Sequence, residues 1–179
     1  MTVIARRGIA ETTMQEIADE AGIAKGTIYV YFRDRDELLS KTADRAFDLL
    51  VEVLDEAFRS PGSLEERLLA VITRQLHFFD DNRELFRAYM ALSHRDPAAP
   101  RKTKSAAYGR YVQRIEGMFA EAKKAGELRD IDPADVAAVY SDYVRGVIVR
   151  RMEERSKRSR EEQAAFVVSI LLRGIQENS

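Results

Sequence analysis

Cysteine is absent from the 179 residues. Disulfides, thiolate metal centres and cysteine nucleophiles are thereby excluded. Histidine occurs only as His77 and His94, too few for a zinc site built on several imidazoles. Glycine (9) and proline (4) are scarce, which excludes collagen-like and low-complexity chains and leaves room for long helices. No apolar run approaches the length of a membrane span, so no membrane partner is expected. The opening MTVIARRGIA has neither a long apolar stretch nor a cleavage site, so it does not read as a secretory signal. The expected location is the cytoplasm. A glycine-rich phosphate loop, a Ser-His-Asp arrangement and a ligand-spaced acid cluster are also missing. No catalytic residue, metal site or cofactor is assigned, and the expectation is that the protein is not an enzyme.

Charge of one sign is lacking too. The 29 Lys and Arg nearly cancel the 30 Asp and Glu, for a net charge of −1. Any attraction to nucleic acid must then come from a local patch. Apolar residues are 45% of the chain, a globular composition, and the length suits one domain or two small ones sharing a core.

The pattern that is present is helical throughout, and the expected fold is all-α. Leu39, Ala43, Phe47, Leu50, Leu54 and Phe58 step by three and four along one face of a helix over about 35–59. Asp34 or Asp36 would cap its start, and Ser60-Pro61-Gly62 would stop it. Ser63 and Glu66 form a capping box for the next helix, striped by Leu64, Leu68, Ile72, Leu76 and Phe79. A short helix over Leu85–Ser93, a loop at Asp96–Pro100 and a helix from Lys102 to Ala125 ending at Gly126 follow. Asp132-Pro133 opens a helix to about Arg155, and a last one spans about Arg160 to Glu177.

Residues 12–39 read TTMQEIADEAGIAKGTIYVYFRDRDELL. Ala18, Gly22 and Ile28 have the spacing of a helix-turn-helix: a small residue at the crossing, a glycine at the turn, an aliphatic side chain packing back. Thr13 is placed to cap the first helix. The second helix exposes Ala24, Lys25, Gly26, Thr27, Tyr29 and Tyr31. Its small N-terminal end carries the positive pole of the helix dipole, suited to phosphates and base edges. An ordinary helical hairpin is the alternative on spacing alone.

This stretch resembles the DNA-binding signature of the TetR family of bacterial transcriptional regulators. The resemblance rests on Gly8, Thr12, Thr13, Ile17, Ala18, Ala21, Gly22, Ile23, Gly26, Thr27, Ile28, Tyr29, Tyr31, Phe32, Leu38 and Leu39. It implies a three-helix DNA head over residues 1–45 and a regulatory and dimerisation body of about six helices over 46–179. It also implies that Lys25 and Gly26 reach bases, that Thr27, Tyr29 and Tyr31 contact phosphate and sugar, and that Thr13 and Gln15 lie near the DNA backbone. Ala24 stands where relatives often carry a polar residue. Arg35 replaces a usual lysine and keeps the charge for a phosphate. The family's first helix is usually longer than the short stretch before Gly8 allows, so a truncated first helix is expected. Six basic against seven acidic residues within 1–41 predict weak DNA affinity at physiological salt.

The implied function is a ligand-responsive regulator, a repressor acting as a homodimer on a palindromic double-stranded operator. A helical carrier or enzyme with a vestigial head is the alternative. The implied pocket for a small lipophilic or amphipathic effector draws on Phe79, Phe86, Tyr89, Met90, Tyr108, Tyr111, Met118, Tyr140 and Tyr143. Gln75, His77, His94 and Arg95 could orient a polar group there. The last two helices are apolar nearly all round, which calls for burial on two sides. The dimer interface is expected at Val147, Met152, Phe166, Val167, Ile170, Leu171 and Gly174. Two basic clusters, 101–114 and 145–160, each carry a local +5, and are solvated faces or a site for an anionic ligand.

Overall fold

The computed structural model describes residues 12–83, 86, 106–153 and 155–175. Among these, helix is the only regular element. Thr13 opens α1 (Met14–Glu20): its hydroxyl accepts from the Glu16 amide while the Glu16 carboxylate returns to the Thr13 amide at 2.8 Å. Gly22, at φ +67°, turns the chain in the left-handed region that favours glycine. α2 (Lys25–Tyr31) follows. Asp34 caps α3 (Arg35–Phe58), resolving the two expected candidates, with its side chain accepting from the Glu37 amide.

Met14, Ala18, Ile28, Leu38 and Leu39 form a small core of their own, closed by Ile17 and Phe32. Ala18 is fully buried where α1 and α2 cross. The expected domain boundary at 45 falls inside α3, whose first turns close this head core while Phe47, Leu50 and Leu54 join the main one.

The body contains α4 (Leu64–Asp81), α5 (Ala106–Lys124), α6 (Pro133–Met152) and α7 (Arg160–Ile175). Each start or stop has a local cause. Ser63 and Glu66 form the expected capping box, Gly126 takes φ +75° after α5, and Asp132 caps α6 with Pro133 in its first turn. The short helix expected at 85–93, and the loop after it, lie outside the described residues apart from Phe86. α5 packs on α3 and α6, while α4 packs on α3 and α7.

Buried Arg67 ties the start of α4 to the end of α5, reaching Glu121 at 3.3 Å and Glu127 at 3.4 Å. Glu127 also accepts the Leu64 amide at 2.6 Å. Asp80, at the end of α4, binds Arg151 of α6 at 2.7 Å and Arg160 of α7 at 2.9 Å. Burial alone would raise the Asp80 carboxyl, but its hydrogen bonds to the two guanidinium groups hold it below the usual carboxylate range.

Candidate nucleic-acid interface and effector pocket

α2 buries only Ile28 and turns the rest of its surface outward. Lys25, Gly26, Thr27, Tyr29 and Tyr31 are all exposed, as is Ala24 before them. Two tyrosines so open, Tyr29 at 46% and Tyr31 at 67%, contribute little to the head core. Val30 at 78% is an exposed apolar neighbour that sequence reasoning left out, and Ile23, one of the residues that carry the resemblance, is 40% exposed. A run as apolar as Ile28–Phe32 on a helix with one inward position was the available signal.

Ala24 caps α2 without a side-chain hydrogen bond, so the first-turn amides have no capping oxygen from it. At Gly26 a Cβ would meet nothing within 4 Å. The glycine therefore answers no need of the protein's own packing, although it weakens a helix.

The remaining predicted contacts are more engaged. Thr13 serves as a helix cap, and Gln15 donates to Asp19 at 2.6 Å. Arg35 donates to the Thr12 carbonyl at 3.2 Å and lies 3.8 Å from Asp36, so its charge is partly committed within the head.

In the body an aromatic cluster spans three helices. Phe47 of α3 meets Tyr108 and Tyr111 of α5 at 5.3 and 6.2 Å, and Phe86 at 5.8 Å. Phe78 and Phe79 of α4 flank Phe86. Of the predicted pocket residues, Phe79, Phe86, Tyr108 and Tyr111 are brought together here. Met118 and Tyr140 are buried deeper, Tyr140 beside Phe119 at 5.9 Å. Tyr89, Met90, His94 and Arg95 lie outside the described residues. His77 is half-exposed, 3.6 Å from Glu161, and does not enter the cluster. Phe47 and Phe78 went unpredicted as pocket residues, although the three-and-four spacing of α3 puts Phe47 on its inward face.

Tyr143 lies instead on a groove of 560 Å³ along the outer side of α6 and α7, with Val139, Ile170 and Gly174. The expected dimer residues divide here. Val147, Met152, Val167 and Leu171 are buried in the chain's own core, and Leu171 also lines the groove. Phe166 and Ile170 are exposed, together with the unpredicted Val139. Helices apolar nearly all round do not announce which stripe faces their own core; the packing of α4 and α5 against them decides it.

Among the described residues of the two basic clusters, most arginines have an ion-pair partner. Arg110 and Arg114 of α5 pair with Asp48 and Asp55 of α3. Arg151 and Arg160 are held by Asp80, Arg155 by Glu153, and Arg158 lies 4.0 Å over the Phe166 ring. Arg101, Lys102 and Lys104 lie outside the described residues.

Residues 1–42 match the family model described as bacterial regulatory proteins, tetR family, and residues 58–172 match that of the tetracyclin repressor-like C-terminal domain. The chain belongs to the tetR family. An uncharacterized HTH-type transcriptional regulator of Haemophilus influenzae is 32% identical over 80 residues, 45% of this chain and 43% of that protein. The fatty acid metabolism regulator protein of Bacillus subtilis is 24% identical over 129 residues, 72% of this chain. The chain spans 43% and 66% of the lengths of these two relatives. The fold is similar to that of the transcriptional regulator FadR from Bacillus subtilis, solved in complex with stearoyl-CoA, with a TM-score of 0.83 at 20% identity over 98% of this chain and 95% of that one. As a tetR-family head, α1 and α2 are the helix-turn-helix pair.

Proposed function

We propose that this protein is a ligand-responsive DNA-binding transcriptional regulator, a repressor released from its operator by a small lipophilic or amphipathic effector. The observation that carries the reading is the continuity of α3. One 24-residue helix closes the head core at Leu38 and Leu39 and places Phe47 in the aromatic cluster of the body. A molecule that moved Tyr108 or Tyr111 would press on Phe47 and tilt the head. The pairs of Asp48 and Asp55 with Arg110 and Arg114 transmit the same displacement between α5 and α3. Operator and effector would then compete through one coupling energy, typically about 1–3 kcal/mol.

The name of the Bacillus subtilis fatty acid metabolism regulator protein and the stearoyl-CoA in the FadR complex favour an acyl effector. A homodimer on a palindromic operator completes the reading, with recognition helices roughly 34–36 Å apart on successive major grooves. The exposed Val139, Phe166 and Ile170 are the face offered to a second copy. Gly146 and Gly174 have open space where a Cβ would stand, so a backbone could approach there. The engaged Arg35 and the balanced charge of the head favour weak DNA affinity at physiological salt.

The test selects binding sites from random duplex DNA with the wild-type protein and compares a Lys25→Ala/Tyr29→Ala variant on the selected sequence. Both side chains are exposed, so folding should persist while affinity collapses. Unchanged affinity would favour a carrier or enzyme with a vestigial head.

A further inference from the structure

Three side chains from three helices meet inside the body. Gln75 of α4 lies between Tyr111 of α5 and Tyr140 of α6, and all three are buried. The Gln75 amide donates to Tyr111 Oη at 2.7 Å, and Tyr140 Oη donates to the Gln75 carbonyl at 3.0 Å. A primary amide standing between two hydroxyls offers one an acceptor and the other a donor. Turning the amide end for end exchanges the two tyrosines, but the count is the same. In either orientation one phenolic hydrogen finds no acceptor among the described residues.

A buried donor without an acceptor weakens a resting core, so packing alone gives no reason to keep it. Its surroundings indicate what would use it. With Gln75 donating to Tyr111 that hydrogen belongs to Tyr111, whose ring adjoins Phe47 and Tyr108 at 6.2 and 6.0 Å, so the donor stands beside the aromatic cluster that spans α3 and α5. No cationic side chain is hydrogen-bonded to the trio among the described residues. An ionised carboxylate would find no counter-charge within it, whereas a neutral carbonyl needs one donor only. Burial pushes both phenols well above their ordinary titration range, so both remain donors.

We propose that Gln75, Tyr111 and Tyr140 form the polar recognition point of the effector pocket, where the unspent phenolic hydrogen donates to the carbonyl oxygen of a neutral ester, thioester or ketone with an apolar tail. The inference rests on the effector reading above and sharpens it, because it selects a carbonyl compound over the corresponding free acid or hydrocarbon.

The probe is a matched pair: S-decanoyl-N-acetylcysteamine, a thioester, and S-decyl-N-acetylcysteamine, the thioether with CH2 in place of the carbonyl. Titration calorimetry on the full chain should show the thioester bound about tenfold more tightly, the scale of one net hydrogen bond. Tyr111→Phe should shrink that ratio. The triple variant Gln75→Leu/Tyr111→Phe/Tyr140→Phe replaces the polar trio by apolar groups of similar volume, which guards against a merely unfolded protein. It should bind both compounds alike. Equal affinity of the two compounds for the wild type, or a ratio unchanged in the triple variant, overturns the carbonyl inference and leaves the effector pocket standing. Failure of both compounds to bind overturns the inference and the lipophilic-effector reading together.

Discussion

Gly26→Ala separates what the protein needs from what its DNA partner needs. Gly26 is the second residue of α2, and an added Cβ there meets nothing within 4 Å. Its φ is not in the left-handed region, so alanine fits without strain. Replacing a helical glycine by alanine should then stabilise the fold by roughly 0.5–1 kcal/mol. For a chain of this size that corresponds to a rise in Tm of about 1–4 °C. DNA binding should move the other way. If the first turn of α2 lies against base edges, the new methyl group displaces it and weakens the contacts made there. The loss of one or two such contacts is about 1–3 kcal/mol, about 5- to 150-fold in affinity. Circular dichroism melting and fluorescence anisotropy on the selected duplex measure the two effects on one preparation. Operator affinity within about twofold of wild type would refute close approach of α2, and a lowered Tm would refute the open space around Gly26.

Ile170→Asp puts a carboxylate on the exposed face of α7 without touching the buried core, and sedimentation should show a shift from dimer to monomer with helicity retained. Asp80→Asn removes the charge that holds Arg151 and Arg160, and should destabilise the body by about 1–3 kcal/mol at pH 7. Because the folded carboxyl is held below its ordinary value, its contribution is complete above the unfolded pKa of ~3.9 and lost as pH falls through the folded value. Denaturant melts of wild type and variant should therefore converge only in acid. Asp48→Asn/Asp55→Asn cuts the ion pairs between α3 and α5, and should loosen effector-induced release of DNA more than effector binding itself. Equal effects on both would count against transmission through α3.

The helix starts and stops were legible because their causes are local. Thr13 and Glu16, Ser63 and Glu66, Gly126, and Asp132 with Pro133 each act within one turn of chain, through hydrogen bonds or backbone preferences that neighbours in sequence satisfy. The helix-turn-helix was legible for the same reason: Ala18, Gly22 and Ile28 meet across a few residues. The exposure of Lys25, Tyr29 and Tyr31 followed from the single inward position at Ile28.

What the chain alone left open concerns contacts between residues far apart. Periodicity shows that α6 and α7 carry apolar residues on several faces, but not that Val147, Met152, Val167 and Leu171 turn inward while Val139, Phe166 and Ile170 turn outward. That choice depends on where α4 and α5 lie. Net charge over 145–160 gives no hint that Asp80, 71 and 80 residues earlier, binds both Arg151 and Arg160. The meeting of Gln75 with Tyr111 and Tyr140 spans separations of 36 and 65 residues. Sequence alone determined the helices, their caps and the exposed face of α2, because short-range hydrogen bonding and spacing suffice for these. Only the tertiary structure decided which side chains share a core, which charges pair and how Gln75 joins two buried tyrosines, because these follow from how the helices pack.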